Sequence, residues 1–361
     1  MARKPSGSLR RGWTTGACAT AATRAAYTAL LTGSFPDPVS ITLPRGEQPS
    51  FPLARESLGA GQAVAAIVKD AGDDPDVTHC ALVQATVRAA PTGGGVVFKA
   101  GEGVGTVTRP GLPLAVGEPA INPTPRQMMR DTITELAGSH GVPGDIEIEI
   151  AIADGERLAE RTLNGRLGIV GGLSVLGTTG VVVPFSCASW IASIHRGIDV
   201  ARAAGLDHVA ACTGSTSEAA VKALYDLPDM ALLDMGDFAG GLLKYLRDRP
   251  VPKLTIAGGF AKLLKLGQGH LDLHSGRSQV DFEWLANCLF ELGATPPLIA
   301  AAQSANSALE VYQQAHAADL PIADAVANAA RKTALDVLRA DRDVEVLVFD
   351  RQKNLIGRSI A

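Results

Sequence analysis

Residues 209–246 read VAACTGSTSEAAVKALYDLPDMALLDMGDFAGGLLKYL. Two short apolar runs, Val209 to Cys212 and Met230 to Leu233, are each followed by a loop and then by a helical segment, one from Ser217 and one from Phe238. Such runs, bounded by Gly, Ser and Asp, suit strands buried on both faces. Strand, helix, strand, helix in that order makes βαβ units and therefore a parallel sheet. Downstream, Leu254 to Ala257 leads into a helix from Phe260; upstream, Leu167 to Val170 precedes a helix from Ser186. With right-handed crossovers these elements build a Rossmann-like, three-layer sheet whose ligand site lies at the carboxyl ends of its strands.

The loops at those ends are the candidate cofactor site: Gly171-Gly172, Gly177-Thr178-Thr179-Gly180, Thr213-Gly214-Ser215-Thr216-Ser217-Glu218, Asp234-Met235-Gly236-Asp237 and Gly258-Gly259. Each follows an expected strand, so all five should converge along one edge. Small residues there admit a nucleoside-like ligand, a helix start accepts an anion, and Asp234 at a strand end suits ribose hydroxyls. No Gly-x-Ser-x-Gly elbow occurs, and Gly214 to Ser217 lacks the Gly-Lys that would make it a Walker loop.

Before Asn164 the texture is different. Val39 to Leu43, Ala63 to Val68, Ala81 to Arg88, Val96 to Lys99 and Ile146 to Ile152 read as strands between Gly, Pro and Asp loops. Helices are expected only from Thr15 and near Pro125 to Gly138, which makes this half α+β with a mixed or antiparallel sheet. Glu147, Ile148, Glu149 and Ile150 alternate, placing one face of their strand in water. The domains are therefore 1–163, α+β, and 164–341, Rossmann-like α/β with a helical C-terminal part from Phe282 to about Arg339. A last strand, Val344 to Phe349 within 342–361, is open to either domain. A length of 361 residues suits two domains, each with its own core.

Three blocks of the first half invite a functional reading. In LRRGWTTGACATAATRAA (Leu9 to Ala26) a basic run precedes Thr14-Thr15-Gly16 and an Ala-rich segment. Either Thr can cap the helix, whose positive end, with Arg10 and Arg11 beside it, would form an anion site. The motif recurs as Thr178-Thr179-Gly180, which turns an ordinary cap into a candidate site. KDAGDDPDVTH (Lys69 to His79) sets four aspartates in a loop broken by Gly72 and Pro75; it lacks the calcium-hand rhythm and suits orientation of a substrate. In GEGVGTVTRPGLPLAVGEPAIN (Gly101 to Asn122) Pro110 and Pro113 forbid a helix, so this is not the dinucleotide fingerprint. Its alternate glycines fit either close approach to a flat ligand or a bulged strand and turn. His270, Asp272 and His274 would need a helix to share a metal, and Gly267, Gly269 and Gly276 oppose one; His274 reads better as a single hydrogen-bonding or acid/base group, with no metal site.

Composition removes other classes. A net charge of −4 without a dense basic stripe argues against nucleic acid as a partner. No apolar run approaches the ~18 residues of a membrane span, and no apolar segment follows the early basic residues. Five cysteines, widely spaced and without a C-x-x-C pair, read as thiols in a reducing compartment, so a cytoplasmic protein is expected.

These blocks, together with NGRLGIVGGLSVLGTTGVVVP (Asn164 to Pro184), EPAINPTPR up to Arg126, and DMGDFAG (Asp234 to Gly240), resemble the CbiD family, cobalt-precorrin-5B C1-methyltransferases of cobalamin biosynthesis. The resemblance runs over nearly the whole chain. It implies that S-adenosylmethionine donates a methyl group to C1 of cobalt-precorrin-5B, giving cobalt-precorrin-6A, with cobalt present only as part of the substrate. Such a macrocycle carries many carboxylates. Arg10, Arg11, Lys69, Arg109 and Arg126, beside glycine loops, then become candidate clamps, and Gly103 and Gly105 become candidate substrate contacts. Thr14, Thr15 and the loop with Asp70, Asp73 and Asp74 become candidates for the tetrapyrrole edge, and the second-half loops for the methyl donor. Asp73 and His274 are the candidates for proton removal. The alternatives are a non-catalytic tetrapyrrole carrier or scaffold and, against the missing G-x-G-x-x-G, a pathway reductase. Whether the chain works alone or as a homodimer is open.

Overall fold

The Ala-rich run after Thr14 forms the helix around which the first part of the chain is built. The computed structural model describes residues 7–340 and 342–360. The chain divides into two compact units, Met1–Ser186 and Cys187–Ala361, and both combine helices with sheets.

In the first unit β1 (Gly12–Trp13) leads into α1 (Thr15–Thr32), which is capped by Thr14 and ended by Gly33 at φ 84°. Seven of its alanines between Ala17 and Ala29 have no exposed surface. A helix that is apolar all round belongs inside a core, and alanine both favours the helix and lets neighbours approach closely. It packs on β5 (Gln62–Val68), β6 (Leu82–Ala89) and α2 (Pro123–His140). With β4 (Arg55–Gly59), β7 (Val96–Ala100) and β9 (Ile146–Ile152) these strands form a five-stranded sheet of order β4-β5-β6-β9-β7, antiparallel except for β7 beside β9. Along β9 the four isoleucines face the core, while Glu147 and Glu149 face outward to Arg88, as their alternation predicts. Two-residue pairings complete the unit: β2 (Val39–Ser40) with β3 (Ser50–Phe51), β8 (Thr106–Val107) with β10 (Ile169–Val170), and β1 with β11 (Val181–Val182). A short helix, α3 (Gly155–Ala159), follows β9.

The last two pairings correct an expectation. Leu167 to Val170 is not the first strand of the parallel sheet: only Ile169 and Val170 are extended, and they pair antiparallel with β8. Residues 164–186 accordingly pack with the first unit. A two-residue ladder takes its partner from whichever edge lies nearby, and that partner is more than 60 residues back in sequence.

The second unit contains α4 (Cys187–Ala203), β12 (His208–Cys212), α5 (Ser215–Tyr225), β13 (Leu232–Asp234), α6 (Ala239–Asp248), β14 (Lys253–Gly259) and α7 (Phe260–Gly267). Four helices follow: α8 (Phe282–Glu291), α9 (Pro296–Gln303), α10 (Ala308–Ala317) and α11 (Ile322–Leu338). Strands β15 (Asp343–Phe349) and β16 (Leu355–Arg358) end the chain. Sheet order is β13-β12-β14-β15-β16, parallel through β15 and antiparallel at β16. The last predicted strand thus belongs here, beside β14. Val209, Ala211, Ile256 and Val346 pack into one core with most of the helices, while Ala210, Ala257 and Leu347 face α5 on the other side. Burial on both faces explains why these strands read as unbroken apolar runs.

Candidate functional site

The structure brings the two Thr-Thr-Gly motifs together. The Thr14 N–H donates to Gly180 O at 2.9 Å, the Gly16 N–H to Leu176 O at 3.0 Å, and Gly177, at φ 135°, leaves no room for a side chain over Thr14. Thr14 Oγ1 accepts the Ala17 N–H at 3.2 Å. This corrects the anion-site reading of α1: two first-turn N–H groups are already bonded, and Thr14 and Thr15 are buried. Gly171, Gly172, Thr178, Thr179 and Gly180 therefore lie with the N-terminal motif, not with the loops of the parallel sheet. Within this group Gly171 and Thr178 are exposed.

The aspartate loop ties down neighbouring backbone through its carboxylates. The Arg10 N–H donates to Asp73 Oδ2 at 2.6 Å, and the Asp73 N–H returns a bond to Arg10 O. The Arg10 guanidinium forks onto Asp70, and together with the Gly72 N–H it holds the Asp70 carboxyl down to about 2. Asp74 Oδ1 accepts the Phe185 N–H at 2.8 Å. Lys69, expected as a substrate clamp, is 1 % exposed, and its ammonium sits 2.5 Å from Asp76. Arg126 is likewise committed, to Glu118 and to the carbonyls of Ile121 and Pro119, with its guanidinium over Phe98. Arg11 and Arg109 keep exposed side chains, Arg11 lying 3.9 Å from Glu47.

The buried pair carries a stability prediction. Asp76→Ala leaves the Lys69 ammonium uncompensated in the interior and should cost about 3–5 kcal/mol, much of it recovered in the Lys69→Met/Asp76→Ala double variant. Thermal unfolding of the three proteins checks this; equal loss in the single and double variants would refute it. Burial raises the Asp76 carboxyl, but Lys69 and Thr78 outweigh it and hold it below its ordinary value. The folded pKa is thus depressed, so the contribution of the pair is complete above about pH 4 and is lost as pH falls through the lower folded value.

Gly103 and Gly105 are explained by backbone crossing and not by a flat ligand. A Cβ on Gly103 would lie 2.0 Å from Ile152 O, one on Gly172 2.3 Å from the Gly103 carbonyl, and one on Gly105 2.5 Å from Ile169. Leu173 exchanges backbone bonds with Gly103 and Gly105, and Asn164 Nδ2 donates to Gly172 O.

Three of the five expected segments do converge, at the carboxyl ends of β12, β13 and β14, although Gly258-Gly259 is not a loop: it continues β14 and pairs with Val348 and Phe349. The Thr213 N–H donates to Ala257 O, and the N–H groups of Met235 and Gly236 both donate to Cys212 O. A Cβ on Gly258 would meet Thr213 Oγ1 at 2.7 Å. Asp234 ends β13, half-buried, with its carbonyl accepting the Trp190 indole N–H at 3.1 Å. Ser215 opens α5, whose cap Gly214 brings no side chain to the first turn. Lys262, in the first turn of α7, donates to Thr213 O at 3.0 Å and lies 3.0 Å from Asp237 Oδ1. Nothing in its local sequence signals this, because a lysine in FAKLLKLG reads as the solvated face of a helix. Strands β12 and β14 are neighbours, but the chain reaches β14 only after β13 on the far side of β12. That reversal of direction is where open α/β sheets take ligands.

His274 lies on an exposed turn, where its Nδ1 accepts the Gly276 N–H at 3.1 Å and Asp272 pairs with Arg277. Among the described residues no three of His, Cys, Asp and Glu gather to hold a metal ion, and no helix is long and apolar enough to cross a membrane. A pocket of about 600 Å³ in the first unit is lined by Arg24, Thr42 to Pro44 and the α2 face with Gln127, Asp131 and Glu135. No residue selected from the sequence lines it. Arg24 is forked onto Glu135, which with Asp131 makes it a poor seat for a polycarboxylate.

The model of the CbiD family matches residues 2–184, ending beside the boundary of the first unit at Ser186, and that of the CbiD C-terminal domain matches residues 272–360. The chain is 62% identical over 351 residues to a cobalt-precorrin-5B C(1)-methyltransferase of Brucella anthropi, covering 97% of this chain and 95% of that protein. It is 60% identical over 353 residues to a protein of the same name from Bradyrhizobium sp., covering 98% and 94%. Among solved structures, a cobalamin biosynthesis protein (cbiD) from Archaeoglobus fulgidus aligns at 26% identity over 75% of this chain and 84% of that one, with a TM-score of 0.41.

Proposed function

The chain belongs to the CbiD family, and on that premise we propose that it transfers a methyl group to C1 of cobalt-precorrin-5B in cobalamin biosynthesis. The observation that carries this reading is about 60% identity, over nearly the whole of both chains, to proteins named for that reaction. The methyl donor is S-adenosylmethionine and the products are cobalt-precorrin-6A and S-adenosylhomocysteine. The cobalt comes in with the substrate, and the reaction belongs in the cytoplasm.

The second unit suits the donor as a doubly wound, Rossmann-like sheet. Gly214 is extended at φ 165°, with nothing within 4 Å of an added Cβ, so packing does not demand glycine there and the space is open to a ligand. Asp234 ends the strand that follows, about 20 residues on, where an acidic side chain takes ribose hydroxyls in nucleotide sites. We assign the donor to Thr213, Gly214, Ser215, Asp234, Gly236, Asp237 and Gly258. Gly171 and Thr178, which pack with the first unit, are reassigned to its tetrapyrrole surface with the exposed Arg11 and Arg109.

The donor supplies an electrophilic methyl carbon on a sulfonium. Attack on it disperses charge instead of creating it, so the chain needs no nucleophile of its own. Its residues have to orient the two reactants and keep them in line, which can supply up to ~7–11 kcal/mol. Charge-assisted bonds from arginine to the macrocycle carboxylates would set the position of C1.

Methyl-labelled S-adenosylmethionine incubated anaerobically with the protein and cobalt-precorrin-5B tests the proposal. The expected result is one labelled methyl per tetrapyrrole, mapped to C1. Tetrapyrrole binding without transfer would favour a carrier and overturn it.

A further inference from the structure

Asp237 is a buried carboxylate that lacks a complete set of partners. It is 7 % exposed. Its Oδ1 lies 3.0 Å from Lys262 Nζ, at an angle that makes no hydrogen bond, and no other group bonds it. Its ion pair with Lys262 is therefore that oxygen's polar contact, and a carboxylate oxygen has acceptor capacity for a better-aligned donor. The same Lys262 ammonium reaches Thr213 O, immediately before the glycine that opens α5. Asp237 and the start of α5, where the cap residue Gly214 has no side chain, thus meet through one side chain. Lys265, also buried, lies in the field of both Asp237 and Lys262, and its ammonium bonds Leu273 O at 3.1 Å. Asp272, the remaining carboxylate in that field, is paired with Arg277. Two ammonium groups facing one carboxylate leave one positive charge, at a helix end that itself favours an anion.

We propose that Asp237, Lys262 and the first turn of α5 form a clamp for the α-amino-acid end of the methyl donor. The ammonium of the ligand replaces that of Lys262 at Asp237 Oδ1, and Lys262 swings to the ligand carboxylate, which also receives the α5 N–H groups. Charge stays balanced through the exchange: a zwitterion enters, each of its charges gains a partner, and Asp237 Oδ1 trades a poorly aligned ammonium for one free to align. Lys262 can make this move because its side chain is 38 % exposed on a flexible stem. The inference rests on the assignment of the donor to the second unit.

Calorimetric titration of the full chain with S-adenosylhomocysteine and with 5′-methylthioadenosine, which lacks the amino-acid end, tests it. Wild type should bind the first at least about 10-fold more tightly. Asp237→Asn and Lys262→Met should each weaken S-adenosylhomocysteine by roughly 10- to 100-fold, the range for one charge-assisted hydrogen bond, and leave 5′-methylthioadenosine unchanged. Gly214→Val, which the fold has room for, should block both ligands. If Gly214→Val blocks both while Asp237→Asn and Lys262→Met keep the wild-type ratio, the clamp is wrong and the donor assignment stands. If Gly214→Val binds both ligands like wild type, the donor assignment itself fails.

Discussion

Gly103→Val is expected to abolish folding of the first unit. The residue sits at φ 73°, and an added Cβ would lie 2.0 Å from Ile152 O and 2.9 Å from Gly155, both backbone. No rotamer relieves a clash with backbone. Ile152 ends β9, an interior strand of the five-stranded sheet, and Gly155 and Gly172 also close on Gly103. The cost should exceed about 5 kcal/mol, which is comparable with the whole stability of a domain. Gly117→Ala supplies the contrast: its φ is 90° but nothing lies within 4 Å, so only the left-handed strain of about 1–2 kcal/mol remains. Thermal unfolding reads both. A Gly103→Val protein melting within a few degrees of wild type would show that the crossing yields, and the backbone explanation of these glycines would fall.

Asp234→Ala should raise the donor concentration needed for half-maximal turnover by about 100-fold while changing the tetrapyrrole requirement little. A carboxylate accepting two ribose hydroxyls makes two charge-assisted bonds of ~1.5–3 kcal/mol each, part of which water replaces. Its backbone is held independently, by the β12 pairing of β13 and by the Trp190 bond to its carbonyl, so the truncation should leave the strand in place. Steady-state kinetics with each substrate varied in turn decides the matter. A selective rise in the tetrapyrrole requirement would reverse the proposed division of labour between the units.

Much of this was legible in the residues. The alanines after Thr14, the alternation along β9 and the apolar runs of β12, β13 and β14 specify elements through local preference and burial pattern alone. The ends of the parallel strands could be located because strand and helix alternate, so Gly214, Asp234 and Gly258 were recognisable as residues at or just past one edge, although Asp234 and Gly258 are still strand. Residues 164–186 were not: GIVGG reads as another buried strand followed by a glycine loop, and only its long-range pairing with β8 and with β1 reveals a different role.

Charge misled in a similar way. Lys69 and Arg126 look available in the sequence, yet both are closed into pairs in the fold. Lys262 looks like an ordinary surface lysine and instead joins two loops of the parallel sheet.

The sequence by itself determined the family and most of the element types, because these follow from spacing and composition within short windows. Only the tertiary structure decided which glycines face one another, which cations are already neutralised and that the two Thr-Thr-Gly motifs meet at α1. Those are properties of pairs of residues far apart in the chain, and local preference carries no information about which distant group will arrive.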